Sequence, residues 1–252
     1  MATATTKSNS GVKAPAKPPL FYNRPVPISP ETFKGKSLVP SPSREFARKT
    51  NLVPLNATEF PLAQRHYPIV FSLEGGQFPI AIVGVRNDDN LFVGADGRWQ
   101  ADAYVPAYVR RYPFILMGKT DGKQFALCAD MESEYVVDND ENPFYRDGKP
   151  VEAVNKAASF CRAFQAEANK TNEFCAALAE QKLLQAKAAE FAHPGGRKIK
   201  LGPFRMVDEK KFAELPGKVV ADWHGRGWLR FVHAHLFSLA NWQNLANRLP
   251  PQ

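Results

Sequence analysis

Hydrophobic and polar positions follow two different periods along this chain. Between residues 65 and 117, short apolar runs rich in Val, Ile and Phe alternate with turns rich in Gly, Asn and Asp. The runs occupy residues 68–73, 78–85, 91–93 and 114–117. This pattern predicts strands of an antiparallel sheet or partial barrel in the N-terminal half. A further hairpin is predicted between residues 114–117 and 124–129, with its turn at 119–123.

From residue 150 onward, the apolar positions recur at spacings of three and four. They are Val154, Ala157, Cys161, Phe164, Ala168, Thr171, Cys175 and Leu178. This spacing predicts an amphipathic helix of roughly 30 residues, with a break near Asn169–Asn172 as an alternative. A coiled coil is the alternative, disfavoured because Ala, Thr and Cys occupy seam positions where Leu or Ile is wanted.

Three shorter elements complete the prediction of an α+β fold with long amphipathic helices in the C-terminal half. Asp208 is placed to N-cap a helix that runs to Leu215, after a short strand at 197–201. Apolar residues between 228 and 245 predict a closing helix of about 20 residues. Tyr104, Tyr108 and Tyr112 would form one stripe if residues 104–112 were helical.

Composition divides the chain into four segments. Residues 1–20 are Lys-, Ala-, Thr- and Pro-rich and predict a flexible basic arm. Residues 21–64 contain many prolines with apolar residues between them, which favours an extended segment packed on the body. Residues 65–149 form the predicted β core. Residues 150–252 form the helical part, expected to make one continuous globular unit with the β core.

The net charge of +8 is concentrated at the N-terminus. Residues 1–50 hold nine Lys and Arg and two Glu, a net charge of +7. A nucleic-acid groove would place basic residues on the folded body, so this class of partner is disfavoured. A basic arm instead suits an acidic protein surface. Lys7, Lys13, Lys17 and Arg24 are the predicted arm contacts.

The location in the cell is predicted from what the N-terminus and the hydropathy pattern contain. Residues 1–20 have no hydrophobic stretch of the kind found in secretory signals, which predicts a cytoplasmic protein at synthesis. No apolar run approaches the roughly 18 residues that would span a bilayer. The three cysteines, Cys128, Cys161 and Cys175, form no C-x-x-C pair and are predicted to be buried free thiols.

The motifs of common enzyme classes are incomplete in this sequence. Gly35-Lys36-Ser37 and Gly118-Lys119-Thr120 resemble the end of a phosphate-binding loop, but Pro30 and Pro113 replace its first glycine. A G-x-S-x-G elbow does not occur. The acidic run at 138–142 resembles an EF-hand loop but lacks its glycine and its final glutamate. No catalytic residue or cofactor is therefore predicted.

Histidines near the C-terminus are the candidates for a metal site. His233 and His235 would share a face on a strand but lie on different faces of the predicted helix. His235 falls on the apolar stripe, which favours a hydrogen-bonded core histidine. His224 would join a site only if residues 225–227 folded back. These three residues are the candidates that a metal-dependent enzyme would use.

A cluster of aromatic and basic residues is the main candidate for a partner-binding surface. Its members are Arg65, His66, Tyr67, Trp99, Tyr104, Arg110, Arg111 and Tyr112. Aromatic and Arg side chains are enriched in interface hot spots, and Arg stacks on aromatic rings. The alternative interpretation is that the aromatic side chains are core and the arginines are solvated.

The chain resembles the SapC family, which is named for a gene associated with bacterial surface layers. The resemblance extends from about Phe21 to Arg248. Its most specific stretches are PLAQRHYPIVF at 61–71, NLFVGADGRWQADAYVPAYVRRYPFIL at 90–116, FRMVDEKKFAELP at 204–216 and GWLRFVHAHLFSLANWQNL at 227–245. The resemblance implies a role in surface-layer or envelope assembly, and it implies no catalytic residues. The long basic leader departs from the family pattern.

Three hypotheses of function follow. The first is a non-enzymatic assembly protein that docks through its arm into a surface layer, an envelope or another multi-subunit assembly, with self-association as one form. The second is an accessory peptide-binding module. The resemblance supplies its context, because genes of such proteins lie beside those of iron/2-oxoglutarate oxygenases and flavin-dependent tryptophan halogenases. The third is a metal-dependent enzyme.

Overall fold

The computed structural model describes residues 18–41, 43–74, 76–118, 124–192, 196 and 198–249. The predicted turn at 119–123 and three of the arm residues (Lys7, Lys13 and Lys17) lie outside the described residues. Antiparallel sheets dominate the N-terminal half and helices dominate the C-terminal half. The predicted α+β class is confirmed.

The elements of the described residues follow one another in this order. The strands are β1 (Pro25–Pro27), β2 (Lys36–Leu38), β3 (Leu52–Pro54), β4 (Ile69–Phe71), β5 (Pro79–Ile82), β6 (Phe114–Gly118), β7 (Phe125–Asp130), β8 (Val136–Asp138), β9 (Tyr145–Arg146), β10 (Lys149–Pro150), β11 (Leu184–Ala192) and β12 (Lys198–Val207). The helices are α1 (Phe60–Ala63), α2 (Ala107–Arg110), α3 (Glu152–Glu180), α4 (Glu209–Ala213), α5 (Gly217–Gly225), α6 (Leu229–Ser238) and α7 (Asn241–Asn247). Single 3-10 turns lie at Glu45–Ala47 and Ala57–Glu59.

These elements form two compact units. The first unit combines the described residues up to Ser41 with residues 111–165, and the second combines residues 42–110 with 166–252. Each unit therefore combines two segments that are separated in the sequence. This division does not follow the predicted boundaries at 64 and 149. Helix α3 contributes its first half to one unit and its second half to the other.

The first unit is built on a three-stranded antiparallel sheet with the order β1-β7-β6. Strands β6 and β7 form the predicted hairpin, with Phe114 opposite Ala129. The proline-containing β1 lies at the edge, where a missing N–H costs no interior ladder bond. Phe33 and Phe144 pack with Phe114 in the core, together with Val154 and Cys161 from α3.

The second unit is built on a five-stranded sheet with the order β11-β12-β4-β5-β3. Strands β4 and β5 confirm two of the predicted apolar runs, with Val70 opposite Ile80. The predicted strand at 91–93 is wrong, because only Val93 pairs there, in an isolated bridge to Trp99. Residues 114–117 belong to the sheet of the first unit and not to this one.

The helical predictions are confirmed in part. Helix α3 is one continuous helix of 29 residues, and the side chain of Asp208 accepts from the first-turn amides of α4 as predicted. The closing helix is instead two helices, α6 and α7. Helix α2 has four residues, too few to place Tyr104, Tyr108 and Tyr112 on one stripe. Strand β11 and helix α5 were not predicted.

The polar residues Ser238 and Asn241 lie where the closing helix is interrupted, at the end of α6 and the start of α7. The Ser238 hydroxyl accepts from the Ile69 amide at 2.9 Å and donates to the His235 carbonyl at 2.6 Å. The side-chain amide of Asn241 donates to the backbone carbonyl of Gln64 at 2.7 Å. Both side chains therefore satisfy buried backbone groups around β4, which an uninterrupted apolar face would have left unpaired.

The three cysteines are free and buried, as predicted. Burial raises the pKa of the Cys161 thiol to about 11, despite the nearby Arg111 and Arg162. Thiolate is the nucleophilic form of cysteine, so a raised pKa makes this residue inert at neutral pH. Cys161 therefore serves the packing of the core.

Candidate partner-binding site

The structure divides the predicted aromatic and basic cluster by unit and by burial. Arg65, His66, Tyr67, Trp99, Tyr104 and Arg110 belong to the second unit, and Arg111 and Tyr112 to the first. Tyr67, Trp99, Arg111 and Tyr112 are buried, Arg65 and Arg110 are exposed, and His66 and Tyr104 are partly buried. The buried side chains fit the alternative interpretation, in which the aromatic residues are core.

A hydrogen-bonded chain links the aromatic members of the second unit. The indole N–H of Trp99 donates to the Tyr67 hydroxyl at 3.0 Å. That hydroxyl donates in turn to the backbone carbonyl of Tyr104. Phe92 packs edge-on to Tyr67 and stacks on Trp99. Burial raises the pKa of Tyr67, so its hydroxyl remains protonated and able to donate. These hydrogen bonds fix the backbone position from which the Tyr104 side chain projects.

Glu59 is the buried acid beside this chain. One carboxylate oxygen accepts from the backbone N–H of Asn56 at 2.8 Å. The other accepts from the Ala107 amide at 2.7 Å and from the Tyr104 hydroxyl at 2.9 Å. Burial raises the pKa of Glu59, although these hydrogen bonds lower it in part. Glu59 thus joins the 3-10 turn at Ala57–Glu59 to the start of α2.

Arg110 and Tyr104 form the exposed end of the network. The guanidinium of Arg110 lies 5.7 Å from the centre of the Tyr104 ring and donates to its hydroxyl at 3.1 Å. It also donates to the Val105 carbonyl at 3.0 Å. Burial, followed by the Glu59 charge, raises the pKa of Tyr104 to about 12. An exposed Arg–Tyr pair held by buried groups is the part of the predicted cluster that a partner could reach.

In the first unit, a buried carboxylate anchors the segment that follows the predicted arm. Asp130, at the end of β7, has no solvent exposure. Its side chain accepts from the backbone N–H of Asn23 at 2.9 Å and from the backbone N–H of Arg24 at 2.8 Å. The Tyr112 hydroxyl donates to the same carboxylate at 3.2 Å. The Arg24 side chain is exposed, 3.7 Å from Glu132.

Arg111 is held between aromatic rings in the first unit. Its guanidinium lies 4.5 Å from the centre of the Phe164 ring and 5.7 Å from that of Tyr22. The Tyr22 hydroxyl donates to the Phe114 carbonyl at 2.6 Å. A solvated arginine was expected under the alternative interpretation, but Arg111 is buried, and its guanidinium faces aromatic rings with which cation–π attraction is favourable.

The structure gives the three candidate histidines separate surroundings. His235 is fully buried, and its Nε2 accepts from the Val207 amide at 3.1 Å, so its Nδ1 donates to the Ile69 carbonyl at 2.8 Å. Burial lowers the pKa of His235 to about 4. His233 packs against Phe212 and Phe237, and His224 lies on α5. Within the described residues, no three His, Cys, Asp or Glu side chains are grouped to hold a metal ion.

A groove in the second unit was missed by the sequence analysis. It lies between the C-terminal half of α3 and helix α5, and encloses about 550 Å³. A second groove of about 430 Å³ shares Glu173, Arg226 and Trp228 with it. The Arg226 guanidinium lies 4.8 Å from the Trp228 ring centre and pairs with Asp222 at 3.0 Å. The sequence contained one signal of this groove, which is that Glu173 and Glu180 flank the small residues Ala176 and Ala177 on α3.

The fold and these surfaces define an α+β protein. Its buried carboxylates, Glu59 and Asp130, hold backbone segments next to the exposed side chains of Arg110 and Arg24. Among the described residues, no helix is both long and apolar enough to cross a membrane. The SapC family model matches residues 28–245, so the chain belongs to the SapC family. Searches of curated proteins and of solved structures gave no significant match.

Proposed function

We propose that this protein is a non-enzymatic assembly component that docks on an acidic partner surface through its basic N-terminal arm. The supporting observation is the Asp130 anchor. Its carboxylate accepts from the backbone N–H groups of Asn23 and Arg24, which follow the basic segment in the sequence. A fixed starting point reduces the volume that an arm must search, which raises its effective concentration near a docked partner.

The charge distribution supports the same proposal. Lys7, Lys13 and Lys17 are the only charged side chains before Arg24 in the sequence. A run of cations without neighbouring carboxylates suits an acidic surface, where electrostatic attraction accelerates association. Family membership places the chain among SapC proteins, whose name associates them with surface-layer or envelope assembly.

The experiment compares three forms of the full-length chain for co-elution with larger assemblies in a lysate of the source cells. The forms are the native chain, a variant with Lys7, Lys13 and Lys17 changed to Gln, and a control with Lys156, Lys182 and Lys210 changed to Gln. We expect the arm variant to shift to smaller size and the control, which has the same net charge, to remain assembled. Equal elution of the two variants would refute the role of the arm.

A peptide-binding module is the second candidate, and one observation favours it. Arg110 is exposed and held over Tyr104 by the buried Glu59 network. This is the arrangement of a pre-organised hot spot. In the SapC context, the bound peptide would be one that a neighbouring oxygenase or halogenase modifies. Arg110→Ala should then weaken partner capture while the arm variant retains it. Arg111→Ala is unsuitable as a test because Arg111 is buried in the first unit.

A further inference from the structure

The groove between α3 and α5 has walls of opposite charge. Glu173 and Glu180 line it from α3, and Lys218 and Arg226 line it from α5 and its C-cap, with Asp222 between them. They are separated by small and apolar lining residues, which are Ala176, Ala177, Val219 and Trp223. All of these residues belong to the second unit. The groove therefore combines an apolar centre with two charged margins, as protein interfaces do.

The residues shared with the adjoining groove give the order of the charges along each margin. Glu173 and Arg226 also line the adjoining groove, so both mark the same end. Glu180 lies seven residues further along α3, about 10 Å away at the helical rise. Lys218 precedes Arg226, the C-cap of α5, by eight residues, about 12 Å at the helical rise. Glu180 and Lys218 therefore share the opposite end, and an acidic residue lies across from a basic one at each end.

The charges of this groove are incompletely neutralised within the chain. Asp222 pairs with Arg226 on its own helix. In the part of the chain that the structure describes, no ion pair involves Glu173, Glu180 or Lys218. The groove thus presents an unpaired acidic margin and an unpaired lysine to an incoming surface.

We propose that two copies of this chain pair through the groove about a two-fold axis that runs along it. Such an axis exchanges left and right while preserving position along the groove. The acidic margin of each copy then meets the basic margin of the other. Glu180 faces Lys218 of the partner subunit, and Glu173 faces Arg226 of the partner subunit. An axis across the groove would instead place like charges together, which is unfavourable.

A second copy is favoured over another occupant because an isologous interface requires each surface to carry its own complement. This groove does so, with acidic and basic margins matched at both ends. The exposed small side chain of Ala176 also lets helix α5 of the partner subunit approach α3 closely. The proposal goes beyond the docking arm, since it concerns a different surface in the other unit.

The test is a charge swap followed by sedimentation velocity over a concentration series at low ionic strength. Lys218→Glu and Glu180→Lys should each weaken dimerisation by about tenfold, because each creates two repulsive contacts across the axis. The double variant should restore the native dissociation constant. Lys210→Glu, on α4 outside the groove, is the matched control and should dimerise normally. Circular dichroism verifies that each variant is folded.

Three results would overturn the pairing. They are a native protein that stays monomeric throughout the series, single reversals without effect, and a double variant that fails to recover. Ala176→Arg provides an independent check, since it places a large side chain at an exposed position in the groove and should abolish dimerisation. Deletion of residues 1–17 should leave the dimer intact. Loss of the dimer on that deletion would assign self-association to the arm and would also reject this proposal.

Discussion

The backbone amide of Arg24 donates to the carboxylate of Asp130 at 2.8 Å, across 106 positions of sequence. The Asn23 amide and the Tyr112 hydroxyl donate to the same side chain. Asp130 itself has no solvent exposure. A buried carboxylate is tolerated only when its oxygens are satisfied. The end of β7 therefore depends on the segment before β1, and that segment depends on Asp130.

Asp130→Asn should loosen this anchor. The asparagine NH2 group would face at least one of the three backbone N–H donors, those of Asn23, Arg24 and Glu132, and would leave a buried group unsatisfied. We expect a loss of about 2 kcal/mol in the free energy of unfolding and faster hydrogen exchange at Asn23 and Arg24. Asp138→Asn is the control, because the Asp138 side chain is 82% exposed and its surface pair contributes at most about 1 kcal/mol. Equal effects of the two variants would contradict the anchor.

Thr171 ties the second half of α3 to the 3-10 turn at Ala57–Glu59. Its hydroxyl accepts from the Ala57 amide at 2.9 Å and donates to the Glu167 carbonyl at 2.8 Å. Thr171→Val leaves the buried amide unsatisfied and should reduce the free energy of unfolding by about 1–3 kcal/mol. Thr171→Ser keeps the hydroxyl and should lose less. If urea titrations gave the serine variant a lower free energy of unfolding than the valine variant, the result would be inconsistent with this hydrogen bond.

His235 predicts a pH dependence of stability. Burial lowers its pKa to about 4 from the ordinary value of 6.5. Between these values the unfolded chain binds a proton at this residue and the folded chain does not, so folding stability falls as the pH falls. The His235 contribution is complete above pH 6.5 and is lost toward pH 4, with a slope of up to about 1.4 kcal/mol per pH unit.

The comparison of His235→Gln with His233→Gln isolates this effect. Glutamine at position 235 can accept from Val207 and donate to Ile69 without titrating. Urea titrations at pH 7 and pH 5 should show a smaller difference for this variant than for the native chain. The exposed His233 is the control, and its replacement should leave the difference unchanged. A native pH difference that survives in His235→Gln would show that another group is responsible.

Trp242 connects α7 to the β11–β12 hairpin. Its ring stacks on Phe191 of β11 at 5.7 Å and on Phe204 of β12 at 6.2 Å between ring centres. Trp242→Ala should reduce stability by about 3 kcal/mol and increase hydrogen exchange in the hairpin. Trp242→Phe retains one ring and should have an intermediate effect. Unchanged exchange at Ala189 and Leu201 in the alanine variant would show that the stack does not hold the hairpin.

The predicted elements that the structure confirms are those with a local cause. The period of α3, the N-cap at Asp208 and the apolar runs of β4 and β5 depend on residues close in sequence. Strand β11 was missed because its sequence, LQAKAAEFA, is rich in helix formers. It is a strand because β12 pairs with it from Leu184 to Ala192, and such a partner is not visible from a local pattern.

The candidate site was also predicted only in part, because contacts between distant segments are not visible in a local sequence pattern. Aromatic and basic residue types were sufficient to select the cluster between residues 65 and 112. They did not indicate that Tyr67 and Trp99 lie in the core while Arg110 is exposed. Burial depends on which elements cover a side chain, and those elements come from distant parts of the chain. The groove at Trp228 was missed for this reason, since α3 and α5 are both needed to form it.

The sequence by itself determined the α+β class, the length of α3, the free cysteines, the basic N-terminus and the resemblance to SapC. Each of these depends on composition, short-range period or direct similarity. Only the tertiary structure decided the two units, each composed of separate sequence segments, the Asp130 anchor and the opposite charges of the groove. These depend on contacts between residues that lie far apart in the chain, and the free energy of such contacts is gained only when the whole chain has folded around them.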